Sequence, residues 1–232
     1  LSLPYPRTND TSVDGFILAG GRSSRMGQDK ALIALAGVPM IQRALTILRS
    51  AGLEPRIAGA KSDLSSFAPT LPDEPSQSGP SQTGFGPLAG ICTALASGSA
   101  RYAVFLPIDL PLLPASLIDY LLHRALVTES AITAVSVAGF AQTFPVVIDR
   151  VGLPVLKSIL RSRDRNCLRA FRATADANYR PFSVQPVESL VQSGQVSHPQ
   201  GFAAADWFLN VNSPGDLTRA ETLLGQKHHQ VS

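Results

Sequence analysis

The residue types best suited to chemistry fall in one early stretch, Leu18-Ala19-Gly20-Gly21-Arg22-Ser23-Ser24-Arg25-Met26-Gly27-Gln28-Asp29-Lys30. Phe16-Ile17-Leu18 has the apolar character of a short strand, and it stops at a Gly pair that lets backbone N–H groups approach an anion with no Cβ in the way. Arg25 and Lys30 follow at loop distance. An arginine holds a phosphate through a fork of donors and a lysine acts as a mobile point charge, so the segment suits a polyphosphate. Neither Gly-Lys-Ser/Thr nor GxGxxG is present, which sets aside the two common nucleotide fingerprints. The plain alternative is a Gly-rich turn with solvated basic residues.

Three further stations carry chemical side chains. Tyr102 to Leu106 reads as a buried strand that delivers Asp109 between Pro107 and Pro111. The C-terminal end of a strand is where open parallel sheets place ligands, and a rigidly held carboxylate suits a hard cation. Its alternative is to cap a helix starting near Pro114. Gly86-Pro87-Leu88-Ala89-Gly90 opens a helix with Pro in its first turn, either to present N–H groups to a ligand oxygen or simply to pack closely. Asn210 and Asn212 alternate around Val211, ready to meet a metal or a ligand hydroxyl, or else to form Asx turns. Ser213, Pro214 and Asp216 have capping-box spacing.

The elements that must position these residues alternate between strand and helix. A helix with Pro39 at its first position carries Ile41, Leu45 and Leu48 and stops at Gly52; Arg56 to Ala58 is a second strand. Lys61 to Gly86 has Pro and Gly but no periodicity, and a connection that long reads either as a floppy segment or, the reading favoured, as a lid carrying Asp73. Leu117, Ile118, Leu121, Leu122 and Ala125 mark a helix, and Ala131 to Val137 and Phe144 to Ile148 mark two strands. Leu156 to Arg172 reads as one helix with Arg161, Arg165, Arg169 and Arg172 on one face, a solvated basic face more readily than an anion-facing wall. Pro181 to Glu188 reads as a strand, Gln192 to Ala205 as loop, and Trp207 to Leu209 as a short last strand.

With 232 residues, 44% of them hydrophobic, the chain is long enough for one α/β domain. That domain is expected over 13–226, with flexible termini at 1–12 and 227–232. Cys92 and Cys167 stand far apart without metal-ligand spacing, which fits a reducing cytoplasm. A formal charge of +3 is too weak a balance to argue for nucleic acid, and prolines with Asp109 break the one long apolar run, so no membrane span is expected.

Taken together, the four stations resemble the molybdenum cofactor guanylyltransferase (MobA-like) family of nucleotidyltransferases. Its Leu-Ala-Gly-Gly-x-x-x-Arg-Met-Gly-x-Asp-Lys pattern is met at Leu18 to Lys30, its Gly-Pro-Leu-Ala-Gly at Gly86 to Gly90, and its Asn-x-Asn-Thr/Ser-Pro-x-Asp-Leu at Asn210 to Leu217. The resemblance implies a single Rossmann-like domain with a mostly parallel central sheet flanked by helices. It also implies GMP transfer from GTP to the terminal phosphate of molybdopterin by direct in-line attack. Leu18, Ala19, Gly20, Gly21, Lys30, Asp73 and Asp109 would then meet the nucleotide, Asp109 would hold Mg²⁺, and Arg25, Asn210 and Asn212 would face the pterin. Lys30, Asp109 and Arg25 would be catalytic. Transient contact with cofactor-synthesis or acceptor proteins is implied as well. Ala58-Gly59-Ala60 replaces an Asn often found in the family, Ile108 a Cys, and Gln142-Thr143-Phe144-Pro145 a more basic segment. The alternatives are CMP transfer to the same cofactor and a noncatalytic nucleotide-binding module.

Overall fold

The apolar run Val13–Leu18 is the central strand β1, flanked in parallel register by Pro55–Ala58 (β4) and Tyr102–Pro107 (β6). The structure, a computed structural model, describes residues 13–20, 29–59, 63–71, 86–162 and 164–225. Between β1 and β4 lie a hairpin, Ala34–Leu35 (β2) with Val38–Pro39 (β3), and helix α1, Met40–Ser50. Ala36 and Gly37 both adopt positive φ, as a two-residue hairpin turn requires. Pro39 precedes α1 rather than occupying its first position, because its residue still pairs with Ala34. Thr70–Leu71 (β5) extends the sheet beyond β4, so part of the expected long loop is sheet edge.

Helix α2, Pro87–Ser97, crosses from β5 back to β6. The remaining elements are α3 (Ala115–Thr128), β7 (Ile132–Val137), β8 (Phe140–Ala141), β9 (Val146–Asp149), α4 (Leu153–Arg161), α5 (Cys167–Ala177), β10 (Phe182–Pro186), α6 (Val187–Gln192), α7 (Ala204–Trp207) and α8 (Pro214–Gly225). Strand order is β10-β7-β9-β6-β1-β4-β5, with β8 paired to the end of β7. Only β9 in that path runs antiparallel to its neighbours. The fold is a mostly parallel α/β sheet flanked by helices on both faces.

Strand alternation sorts the core into two layers. Ile17, Val104 and Leu106 face α1 and α3, whereas Phe16, Leu18 and Phe105 face α2, α4 and α5. Phe16 and Phe105 are register neighbours, and their rings stack with centroids 5.4 Å apart. The chain leaves β1 through α1 on one face to β4, then returns through α2 on the other face to β6 on β1's opposite side. The connection direction therefore reverses between β1 and β6, and the crevice at their C-terminal ends is the place such sheets offer for a ligand.

Two expectations from the sequence are corrected. Leu156 to Arg172 is not one helix: α4 ends at Arg161, and α5 restarts with Asn166 accepting from the Arg169 backbone N–H. The arginine spacing spans that break, so the four side chains share no helical face. Trp207 to Leu209 is not a strand. Trp207 closes α7 with its ring buried and its indole N–H bonded to Phe202 O at 2.9 Å, which ties the segment to its own loop.

Candidate active site

Leu18 and Pro107 are register partners at the ends of β1 and β6, so the residues just beyond them emerge side by side. Beyond β1, the Ala19 N–H bonds to Ala58 O, and a Cβ on Gly20 would stand 3.0 Å from Gly59 O; glycine there lets two backbones touch. Lys30 opens a single 3₁₀ turn over Lys30–Leu32, capped by Asp29 Oδ1 accepting from the Ala31 N–H at 3.0 Å. That cap holds Lys30 against the end of β6. Its Nζ lies 3.2 Å from Asp109 Oδ2, with the lysine side chain 12% and the aspartate 26% exposed.

The third contribution comes from near the C-terminus. Val211 is buried among Leu35, Met40 and Ala220, and its backbone N–H donates to Asp109 O at 3.0 Å. With Val211 pinned, the flanking Asn210 and Asn212 are exposed toward the cavity. Lys30 Nζ donates to Asn212 Oδ1, and Asn212 Nδ2 donates to Asn210 Oδ1 at 2.7 Å. Asp216 fixes the loop from below: its Oδ2 accepts from the backbone N–H groups of Asn212 and Ser213 and from Ser213 Oγ. These hydrogen bonds, together with the Lys30 charge, hold the Asp216 carboxyl below the usual carboxylate range.

A cavity of about 920 Å³ opens over this cluster. Leu18, Ala19, Gly20, Lys30, Asp109, Asn210 and Asn212 line it, so the structure brings together the described residues that the sequence singles out. Gly21, Arg25 and Asp73 lie outside the described residues. Helix α2 reaches the cavity at Pro87, after Gly86 in a positive-φ conformation and with no side chain capping it. Gly90 is explained by packing, since a Cβ there would sit 3.3 Å from Leu18 Cδ2. Asp109 caps no helix: α3 starts at Ala115 with Pro114 at its cap position.

Residues 15–178 match the family described as the MobA-like NTP transferase domain. The chain belongs to that family. It is 32% identical over 226 residues to the molybdenum cofactor guanylyltransferase of Rhodobacter capsulatus, covering 92% of this chain and 97% of that one. It is 37% identical over 121 residues to the molybdenum cofactor guanylyltransferase of Xanthomonas euvesicatoria, a match spanning 50% of this chain and 58% of the relative. The fold is similar to the crystal structure of molybdopterin-guanine dinucleotide biosynthesis protein A from Archaeoglobus fulgidus, with a TM-score of 0.71 at 20% identity, over 92% of this chain and 99% of that one. This MobA-like domain is a nucleotidyltransferase.

The far wall of the cavity in this MobA-like chain is legible only in part from sequence. Gln142, Thr143 and Phe144 lead into β9, and Arg165, Asn166 and Cys167 form the start of α5. Of the four spaced arginines only Arg165 lines the cavity; Arg169 pairs with Asp164, and Arg172 lies over the Phe182 ring. The break between α4 and α5 is what aims Arg165 there, and no local pattern announced it. Cys167 borders the same wall, but burial pushes its thiol up to about 11, so it supplies no thiolate nucleophile near neutral pH.

Proposed function

We propose that this chain transfers GMP from GTP to the terminal phosphate of molybdopterin and releases pyrophosphate, with residues 13–226 acting as one catalytic unit in the cytoplasm. The observation that carries the reading is the Lys30–Asp109–Asn212 cluster at the β1/β6 reversal. It matches what nucleotidyl transfer to a phosphate needs, and the full-length relative from Rhodobacter capsulatus is named for guanylyl transfer. An acceptor phosphomonoester has a second pKa near 6 and is largely ionised at neutral pH, so no general base is required. The protein's task is to align acceptor and α-phosphorus and to balance charge.

In that alignment the acceptor oxygen forms a bond to the α-phosphorus while the bond to the β-phosphate oxygen breaks, and no covalent enzyme intermediate forms. Lys30 and the Gly20 backbone stabilise the departing pyrophosphate, with Gly21 continuing the loop. Asn210, Asn212 and Arg25 hold the pterin side, and Asp73 meets the nucleotide from the loop. The donor set fits Mg²⁺, a hard cation that would be held through a carboxylate together with substrate phosphates and waters. Asp109 offers a single carboxylate beside Lys30, and no cluster of three metal-ligating residues exists among the described residues. When bound, Mg²⁺ would neutralise charge on the reacting phosphate. GTP and molybdopterin are the substrates in this reading, and protein contacts are transient handovers.

The test supplies purified protein with molybdopterin, Mg²⁺ and one nucleotide at a time. GTP-dependent pyrophosphate release with a guanylated pterin product is expected. Consumption of CTP alone moves the reading to cytidylyl transfer, and nucleotide binding without pyrophosphate rejects catalysis.

A further inference from the structure

The Lys30–Asp109 pair raises a question that the transfer reaction leaves unanswered: one carboxylate is asked to hold a metal while a lysine already sits on it. Lys30 Nζ is 3.2 Å from Asp109 Oδ2, and the lysine side chain is only 12% exposed. Asn212 Oδ1 accepts from the same ammonium and is itself steadied through Asn210. The pair is built in from both sides, by the Asp29-capped turn that carries Lys30 and by the Val211 N–H on Asp109 O. A part-buried carboxylate so paired has its charge balanced without any ion.

We propose that Lys30 is a placeholder for the divalent cation, holding Asp109 in the nucleotide-free protein and leaving it when a triphosphate arrives. This rests on the reading of Asp109 as the metal ligand. A divalent cation on either oxygen of Asp109 would stand close to the Lys30 ammonium on Oδ2 and be repelled by it, so metal alone binds weakly while Lys30 stays in place. A triphosphate offers Lys30 a stronger anionic partner and draws it off Asp109. Triphosphate and metal therefore bind with positive coupling, and by linkage each raises the affinity of the other. The device keeps a bare metal ion from occupying the crevice ahead of its nucleotide.

The experiment is titration of the full chain with Mn²⁺ alone, the free ion followed by electron paramagnetic resonance at low ionic strength. Lys30→Gln should bind Mn²⁺ about three- to tenfold more tightly than the unaltered protein, the range expected when a charged hydrogen-bonded competitor is removed. Lys30→Met serves as a second variant should the first be poorly folded, because it keeps the buried stem. The double variant Lys30→Gln/Asp109→Asn should lose the gain. Unchanged or weaker Mn²⁺ binding in both lysine variants overturns the placeholder role, and so does a gain that survives in the double variant. Guanylyl transfer by Asp109→Asn separates the two ideas: if transfer is lost while the lysine variants show no gain, only the placeholder role fails; if transfer persists, the metal role of Asp109 fails with it.

Discussion

Asp109 is held by backbone geometry rather than by packing: Pro107 ends β6 in register with Leu18, and Val211 donates to the Asp109 carbonyl. Its side chain is part exposed, so its removal leaves no buried orphan beyond Lys30. Asp109→Ala should therefore lower turnover by about 10²-fold or more, the scale of losing one charge-stabilising group. The melting temperature should move little, and steady-state kinetics beside a thermal melt check both halves. Cys167 makes the opposite case, a chemical side chain at the cavity with a structural effect. Burial pushes its thiol from its ordinary value near 9 up to about 11, which disfavours the thiolate in the folded state only. A group raised on folding contributes stability that is complete below its unfolded value and fades as pH rises toward its folded one. The folded protein should thus lose stability between about pH 9 and pH 11, and Cys167→Ala should lose less over that window in denaturant titrations.

At the level of elements, α8 shows how a local motif reaches the site. Asp216 and Ser213 form the reciprocal cap that their spacing predicts, and the same carboxylate also fixes the Asn212 backbone. Because the folded Asp216 carboxyl lies below the ordinary carboxylate range, its contribution is present above the unfolded value and is lost as pH falls through the lower, folded one. Asp216→Ala should expose the α8 amides to hydrogen exchange at neutral pH, and the difference from the unaltered protein should vanish in acid. The variant should also raise KM, since Asn212 loses its anchor. Such caps, like the strand ends at Leu18 and Pro107, are legible in sequence because neighbouring residues decide them. The break between α4 and α5 is not legible, because arginines spaced by four, four and three satisfy helical periodicity whether or not the helix stops at Arg161 and restarts at Cys167. Trp207-Phe208-Leu209 misleads for the reverse reason: an apolar triplet suits a strand, but Trp207 closes the four-residue helix α7 with its ring buried and its indole N–H on the Phe202 carbonyl five residues earlier. The antiparallel direction of β9 is likewise set by partners on β6 and β7, not by its own residues.

Across the whole molecule, the cluster joins residues 182 positions apart in sequence, Lys30 and Asn212, through a crevice that exists only when β1, β6 and the segment before α8 are folded together. A ligand in that crevice must therefore stabilise the fold globally rather than one hairpin. The bottom of the sheet is tied separately: Asp14 pairs with Arg56 and Arg150 there, and Arg150 also donates to the carbonyls of Ala100 and Leu95. A Cβ on Gly98 would collide with Asp14 and Arg150, so Gly98→Ala should lower the melting temperature without changing nucleotide selectivity, separating fold from site. With the unaltered protein, a nucleotide present at a hundred times its Kd stabilises by about 2.7 kcal/mol, which for a chain of this size raises the melting temperature by roughly 5–11 °C. In the proposed reading GTP with Mg²⁺ gives that shift, CTP, ATP and UTP give less, and omitting the metal reduces the GTP effect. Thermal melts across the four nucleotides check it, and a preference for CTP would retain the phosphate machinery while assigning the base differently. The same shift should persist in Gly98→Ala from a lower starting point, because the crevice and the Asp14–Arg150 tie lie at opposite ends of the strands.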